Sequence, residues 1–128
     1  MLARSAFQPR KRERTKQPDP KRCPPYLKWL RRLPCFLSHH DRPHQCEGIV
    51  QACHFDPWGD KGMGTKASDM AAMPMCGAGH IEQTDILGWP EFQRKYEFDG
   101  RDVVTAYWTE FLKTREGRLW QQKVANDG

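Results

Sequence analysis

Residues 46–80, CEGIVQACHFDPWGDKGMGTKASDMAAMPMCGAGH, constrain the chain more than any other stretch. They are bounded by a cysteine and a histidine, and they hold two further cysteines, a second histidine and four aspartates or glutamates around a glycine-rich centre. The run EGIVQACHF alternates, with Ile49, Gln51 and Cys53 on one side and Val50, Ala52 and His54 on the other. That period predicts a strand with His54 at its carboxyl end. The following loop has glycines at 59, 62 and 64 but is not a Walker loop, because Gly64-Thr65-Lys66 inverts the required order. Residues 70–75 read as a second short strand, and 77–87 as a short helix with His80 in its first turns. Gly88 breaks that helix, and WPEFQRKY continues as a further helical piece with Pro90 near its start.

A chain of 128 residues gives one small domain with extensions. Its mean hydropathy of −0.87 leaves a thin core, and small domains with thin cores usually need a metal or disulfide staple. Five cysteines cannot all pair. No stretch approaches the ~20 apolar residues of a membrane span, so a membrane is not an expected partner. The expectation is a soluble protein of a reducing, cytoplasmic compartment whose cysteines are thiols or metal ligands.

The charge is unevenly spread. Residues 1–22 carry eight Lys or Arg against Glu13 and Asp19, while residues 23–128 carry thirteen basic and fourteen acidic groups. Residues 1–23, rich in Arg, Lys, Pro and Gln, are expected to form a disordered basic tail. Such a polycation suits phosphate binding by counterion release, without reading sequence. Residues 24–98 form the expected domain, opened by a helix with Pro24 and Pro25 at its start and Pro34 at its end. Residues 99–128 add an amphipathic helix capped by Asp99 or Asp102, with Val103 or Val104, Tyr107, Trp108, Phe111 and Leu112 as its packing stripe. Gly117 is expected to end that helix and leave a frayed tail.

The order strand, histidine, loop, strand, helix with histidine has a chemical use. A histidine at a strand terminus can take a proton from water, because imidazole ordinarily titrates near neutral pH. A second imidazole with a loop carboxylate can hold a divalent cation that stabilises charge on a phosphoryl oxygen and on a departing alkoxide. The residues arranged this way resemble the HNH endonucleases of the ββα-metal superfamily, especially small phage and prophage members. The resemblance rests on Leu33-Pro34-Cys35, Ala52-Cys53-His54, Gly62-Met63-Gly64-Thr65-Lys66 with Asp69, Pro74-Met75-Cys76, His80, Gln83, and Gly88-Trp89 with Phe92. It covers about residues 26 to 96, and its strongest part is the order of the pieces.

The resemblance implies an α+β fold with a small ββα-metal core and flanking helices. It implies hydrolysis of DNA phosphodiester bonds with low sequence specificity, His54 as general base, and His80 with Asp69 on a divalent cation, Mg²⁺, Mn²⁺ or Zn²⁺. Asp69 either ligates the cation or anchors the loop, and Asp56 is the competing carboxylate. The Asn of the motif name has no counterpart, since Asn126 is the only asparagine. Where relatives carry further Cys or His ligands, this chain has Ser38, Gly79 and Thr84. A structural Zn²⁺ would therefore be built from Cys35, Cys46, Cys76 and one of His39, His40 or His44. Implied partners are DNA and phage recombination or packaging proteins, in a bacterial cytoplasm. These departures also leave open a catalytically degenerate scaffold that binds nucleic acid or serves as an adaptor.

Overall fold

The computed structural model describes residues 21–39, 44–58 and 68–127. The tail expected over residues 1–20, His40, and the loop with Lys61 and Lys66 lie outside the described residues, as does the side chain of His39. Helix α1 (Pro24–Arg31) starts with two prolines, placed where helical N–H groups have no intrahelical partner. The Cys23 carbonyl accepts from the amides of Tyr26 and Leu27, and the helix stops short of Pro34. Cys23, assigned to the tail from sequence, is fully buried.

Strands β1 (Gln51–His54) and β2 (Ala72–Met75) pair antiparallel, with Gln51 opposite Met75 and His54 opposite Ala72. The strand is shorter than the alternating run that announced it. Gly48 takes a left-handed φ of 89°, and the Glu47 carbonyl accepts from the Ala78 amide, so residues 47–50 turn onto the following helix instead of pairing. Pro74 is tolerated in β2 because both strands of a two-stranded sheet are edges. Next come α2 (Gly77–Ile81), a widened π-helical stretch (Glu82–Leu87), α3 (Gly88–Tyr96), α4 (Gly100–Leu112) and α5 (Arg115–Asp127). The protein is thus α+β, mostly helical, with one small sheet. Among the described residues no helix is long and apolar enough to cross a membrane.

The hairpin divides two apolar clusters. Cys53, Met73 and Met75 pack with Cys35, Phe36, Leu37, Cys76, Trp89, Phe92 and Tyr96. Ala72 packs with Cys23, Tyr26, Leu30 and Phe111, flanked by Trp29, Trp108 and Trp120. Tyr26 lies edge-on to Trp108 at 5.0 Å, and its hydroxyl donates to the Ala72 carbonyl at 3.0 Å, which fixes α1 against β2. Of the two caps considered from sequence, Asp99 is the one that caps α4, accepting from the Arg101 amide.

The frayed tail expected after Gly117 is instead helical to Asp127. Thr114 Oγ1 accepts from the Gly117 amide at 3.0 Å and starts this helix. A Cβ on Gly117 would sit 2.0 Å from the Phe111 carbonyl oxygen, so the glycine permits a close helix crossing and is no stop signal. Trp120 is partly buried against the second cluster, whereas Leu119 is exposed.

Candidate active site and metal centre

At the carboxyl end of β1, His54 Nε2 lies 2.9 Å from Asp69 Oδ1. The second oxygen of Asp69 accepts from the Cys23 amide at 2.7 Å, and the Asp69 amide donates to the Lys21 carbonyl at 2.8 Å. Asp69 is therefore buried and held by the chain that leads into α1, near the positive end of that helix. An ionised carboxylate only accepts, so the hydrogen of His54 sits on Nε2 and Nδ1 carries the lone pair. Among the described residues no group is bonded to Nδ1. The imidazole is 31% exposed, enough for water to reach it. Asp56 lies in an exposed single turn (Asp56–Trp58) beyond the strand. Of the two carboxylates considered from sequence, the one that meets His54 is Asp69.

His80 lies elsewhere. Its Nδ1 is bonded to Gln51 Oε1, at the opening residue of β1. Gln51 and His54 are separated by about 10 Å of strand and point to opposite faces. The structure thus brings His54 to Asp69 but does not bring His80 to either of them. Thr84, in the widened turn, is exposed and donates to Gln83 Oε1. The same oxygen lies 3.9 Å from Cys53 Sγ. Burial pushes the Cys53 thiol up to about 12, which fits a core side chain.

A second group forms at the other end of the hairpin. Cys35, Cys46 and Cys76 have sulfurs within 4.8 Å of one another, brought together from the turn after α1, the 44–50 segment and the start of α2. Cys76 caps α2, its sulfur accepting from the Gly79 amide at 3.3 Å. His44 Nε2 lies 3.6 Å from Cys76 Sγ. Ser38 turns its hydroxyl to the Cys35 carbonyl at 2.6 Å, away from ligand duty.

Burial raises the Cys35 thiol. Burial, then the neighbouring Cys35 charge, pushes Cys46 up to about 12. For Cys76 burial also opposes ionisation, but backbone hydrogen bonds at Gly79 and Glu47 and the neighbouring thiols outweigh it and lower its pKa. Of the three thiols Cys76 alone is shifted towards ionisation, and a bound cation would favour the thiolate form of all three. Zn²⁺ suits such a donor set, since a tetrahedral site with Zn–S of about 2.3 Å has sulfur–sulfur edges of about 3.8 Å.

Three features had no signal in the sequence: the Cys23 amide on Asp69, the Gln83–Cys53 contact, and a chain of hydrogen bonds in which Tyr96 lies 3.3 Å from His44 Nδ1 and donates its hydroxyl to Glu82 Oε1 at 2.6 Å. Comparison of the chain with family models, with curated proteins and with solved structures finds no match.

Proposed function

We propose that the chain is an HNH-type endonuclease that hydrolyses DNA phosphodiester bonds with low sequence specificity. The observation that carries this reading is the His54–Asp69 pair at the strand end, with an imidazole 31% exposed whose Nδ1 has no bonded group among the described residues. His54 Nδ1 takes a proton from water as the oxygen attacks phosphorus. The bond from phosphorus to the departing sugar oxygen breaks, and that oxygen is protonated from solvent. Asp69 holds the ring in the correct tautomer and stabilises the imidazolium that forms. A Mg²⁺ or Mn²⁺ ion, when bound, would supply stabilisation of charge on the phosphoryl and leaving oxygens. His80 and Asp69 do not converge as a shared site for it.

Cys35, Cys46 and Cys76 hold a structural Zn²⁺ in this reading, and the basic residues before Lys21 add DNA affinity that falls with salt. Low sequence specificity follows from phosphate contacts that position but do not read bases. A phage recombination or packaging complex would direct such an enzyme in a bacterial cytoplasm.

The place of His80 on Gln51, with Thr84 exposed, favours a second reading: a scaffold of this type that keeps zinc for folding and binds nucleic acid or a protein partner without cutting. Supercoiled plasmid incubated with the full chain and Mg²⁺ or Mn²⁺, beside chelator and His54→Ala controls, separates the two. Nicked circles lost in both controls support the nuclease. Plasmid that is retarded in a gel yet uncut in every metal supports the adaptor.

A further inference from the structure

We propose that the outward face of α1 is the surface that carries the DNA backbone, with Lys28 and Arg31 holding phosphates that flank the one at His54. The proposal rests on the reading that this chain acts on DNA at the His54–Asp69 pair, and it names the part of the chain on which the duplex lies.

Helix α1 buries Tyr26 and Leu30, with Leu33 packed beside them. With ~3.6 residues per turn, Lys28, Arg31 and Arg32 fall together on the opposite face, and all three are exposed. Lys21 and the exposed Arg22 lead into the helix, so residues 21–32 carry five basic groups and no acidic one. Cations are ordinary in the last turn of a helix, where the dipole favours them; their surroundings distinguish these. Arg32 is ion-paired to Glu116 of α5 at 3.3 Å, but Arg22, Lys28 and Arg31 have no carboxylate partner among the described residues. Residues 88–112 are the contrast, with three basic groups and five acidic ones. There Arg94 pairs with Glu91, Lys95 with Glu82 and Arg101 with Asp99. A polyanion is therefore drawn to α1 and not to the side built by α3 and α4.

The basic face also starts where the reaction is placed. Asp69 accepts from the Cys23 amide at 2.7 Å, its other oxygen is 2.9 Å from His54 Nε2, and its own amide donates to the Lys21 carbonyl. One carboxylate thus joins the residue that precedes α1 to the histidine. At about 1.5 Å per residue, Lys28 and Arg31 lie about 7.5 and 12 Å along the helix from Cys23. Phosphates of one strand recur about every 3.4 Å along a duplex, so these cations match phosphates roughly two to four steps from one at His54. Residues 1–20 carry six further Lys or Arg and lead into Lys21, at the same point. Cations on the backbone position a duplex without reading its bases, in keeping with low sequence specificity.

The test reads binding of the full chain as purified, with no added Mg²⁺ or Mn²⁺, to a short labelled duplex by fluorescence anisotropy across a range of KCl. Lys28→Gln with Arg31→Gln should weaken binding roughly 60-fold at about 0.1 M salt and make the salt slope shallower by about 1.8, two phosphate contacts at about 0.9 each. Glu116→Gln should act in the opposite direction, tightening binding by up to about 8-fold as Arg32 is released. Arg94→Gln with Arg101→Gln, the control among the α3 and α4 residues, should keep the wild-type affinity and slope. Thermal unfolding of each variant close to that of wild type shows that the fold is kept. Wild-type affinity and slope in Lys28→Gln with Arg31→Gln, or equal losses in both double variants, would overturn the proposal, and plasmid nicking by wild type would leave the nuclease reading intact. The expected losses without nicking in any metal would keep this surface and remove the nuclease. Tighter binding to phosphatidylserine vesicles than to the duplex would overturn the assignment to DNA. A wild-type chain that neither binds nor nicks DNA would overturn both.

Discussion

The two ends of the hairpin use histidine in opposite ways. At the carboxyl end of β1, Asp69 bonds Nε2 of a partly exposed His54 and, among the described residues, nothing bonds Nδ1, the arrangement of a base that must meet water. At the other end, Tyr96 lies 3.3 Å from Nδ1 of His44, and Nε2 lies 3.6 Å from Cys76 Sγ, beside the sulfur cluster. One ring nitrogen is tied in each case, and the tie decides what the other nitrogen can do. The difference teaches that the sulfur end has the donors of a structural metal site, and that the proposed turnover belongs to the His54 end. His80, bonded to Gln51, sits at the opening residue of the strand and not with His54.

The largest way to break this comparison is to remove the metal. Apparent binding free energies for structural zinc run to about 10–16 kcal/mol, more than a small domain's whole stability. Chelation, or Cys76→Ala, should therefore abolish the cooperative thermal transition seen by circular dichroism. An unchanged transition would make the sulfur end dispensable. Next, His54→Ala should lower plasmid nicking by about 10²–10⁴-fold. Its melting should change little, since His54 is partly exposed and its loss removes one bond.

Asp69→Asn should act at both levels. Nicking should fall by roughly 10²-fold as the ring loses its fixed tautomer, and stability should drop by about 1–3 kcal/mol as the buried contacts to His54 and the Cys23 amide weaken. His80→Ala sharpens the comparison from the other side. Its ring contacts Gln51, so nicking should stay within roughly 3-fold of wild type. A loss as large as that of His54→Ala would place His80 in the reaction and require the two ends to cooperate.

The smallest effect concerns acid. Burial works against ionisation of Glu82, but hydrogen bonds from Lys95 and Tyr96 outweigh it and hold its pKa below the ordinary 4.5. A depressed carboxylate contributes stability above its unfolded pKa and loses it as pH falls through the folded value. Glu82→Gln should thus be less stable than wild type near pH 7, with the gap narrowing below pH 4.5 in denaturant titrations. A gap that stays constant with pH would remove Glu82's charge from the account.

Much of this was legible in the chain. The alternation ending at His54, the prolines opening α1 and the Asp99 cap each act through local geometry, which sequence spacing records. Asp69 was legible only as one of two carboxylates, because its choice over Asp56 depends on the Lys21 carbonyl and Cys23 amide, which pin it from a distant segment. The position of His80 was not legible, since a helix's register against a strand is set by packing of residues far apart in sequence. Gly117 misled for a related reason: its missing Cβ serves a close crossing over Phe111, and Thr114 was the cap to notice. The sulfur cluster was legible as a set of candidates, because three cysteines in a chain with a thin core are themselves a metal-ligand signal.

The most direct measurement follows zinc content and nicking of supercoiled plasmid together, in the same preparations of wild type, His54→Ala and His80→Ala with Mn²⁺. The account predicts one zinc per chain in all three, nicking by wild type and His80→Ala, and none above the chelator control by His54→Ala. Equal nicking by wild type and His54→Ala, or no nicking by zinc-loaded wild type in any divalent metal, would contradict it.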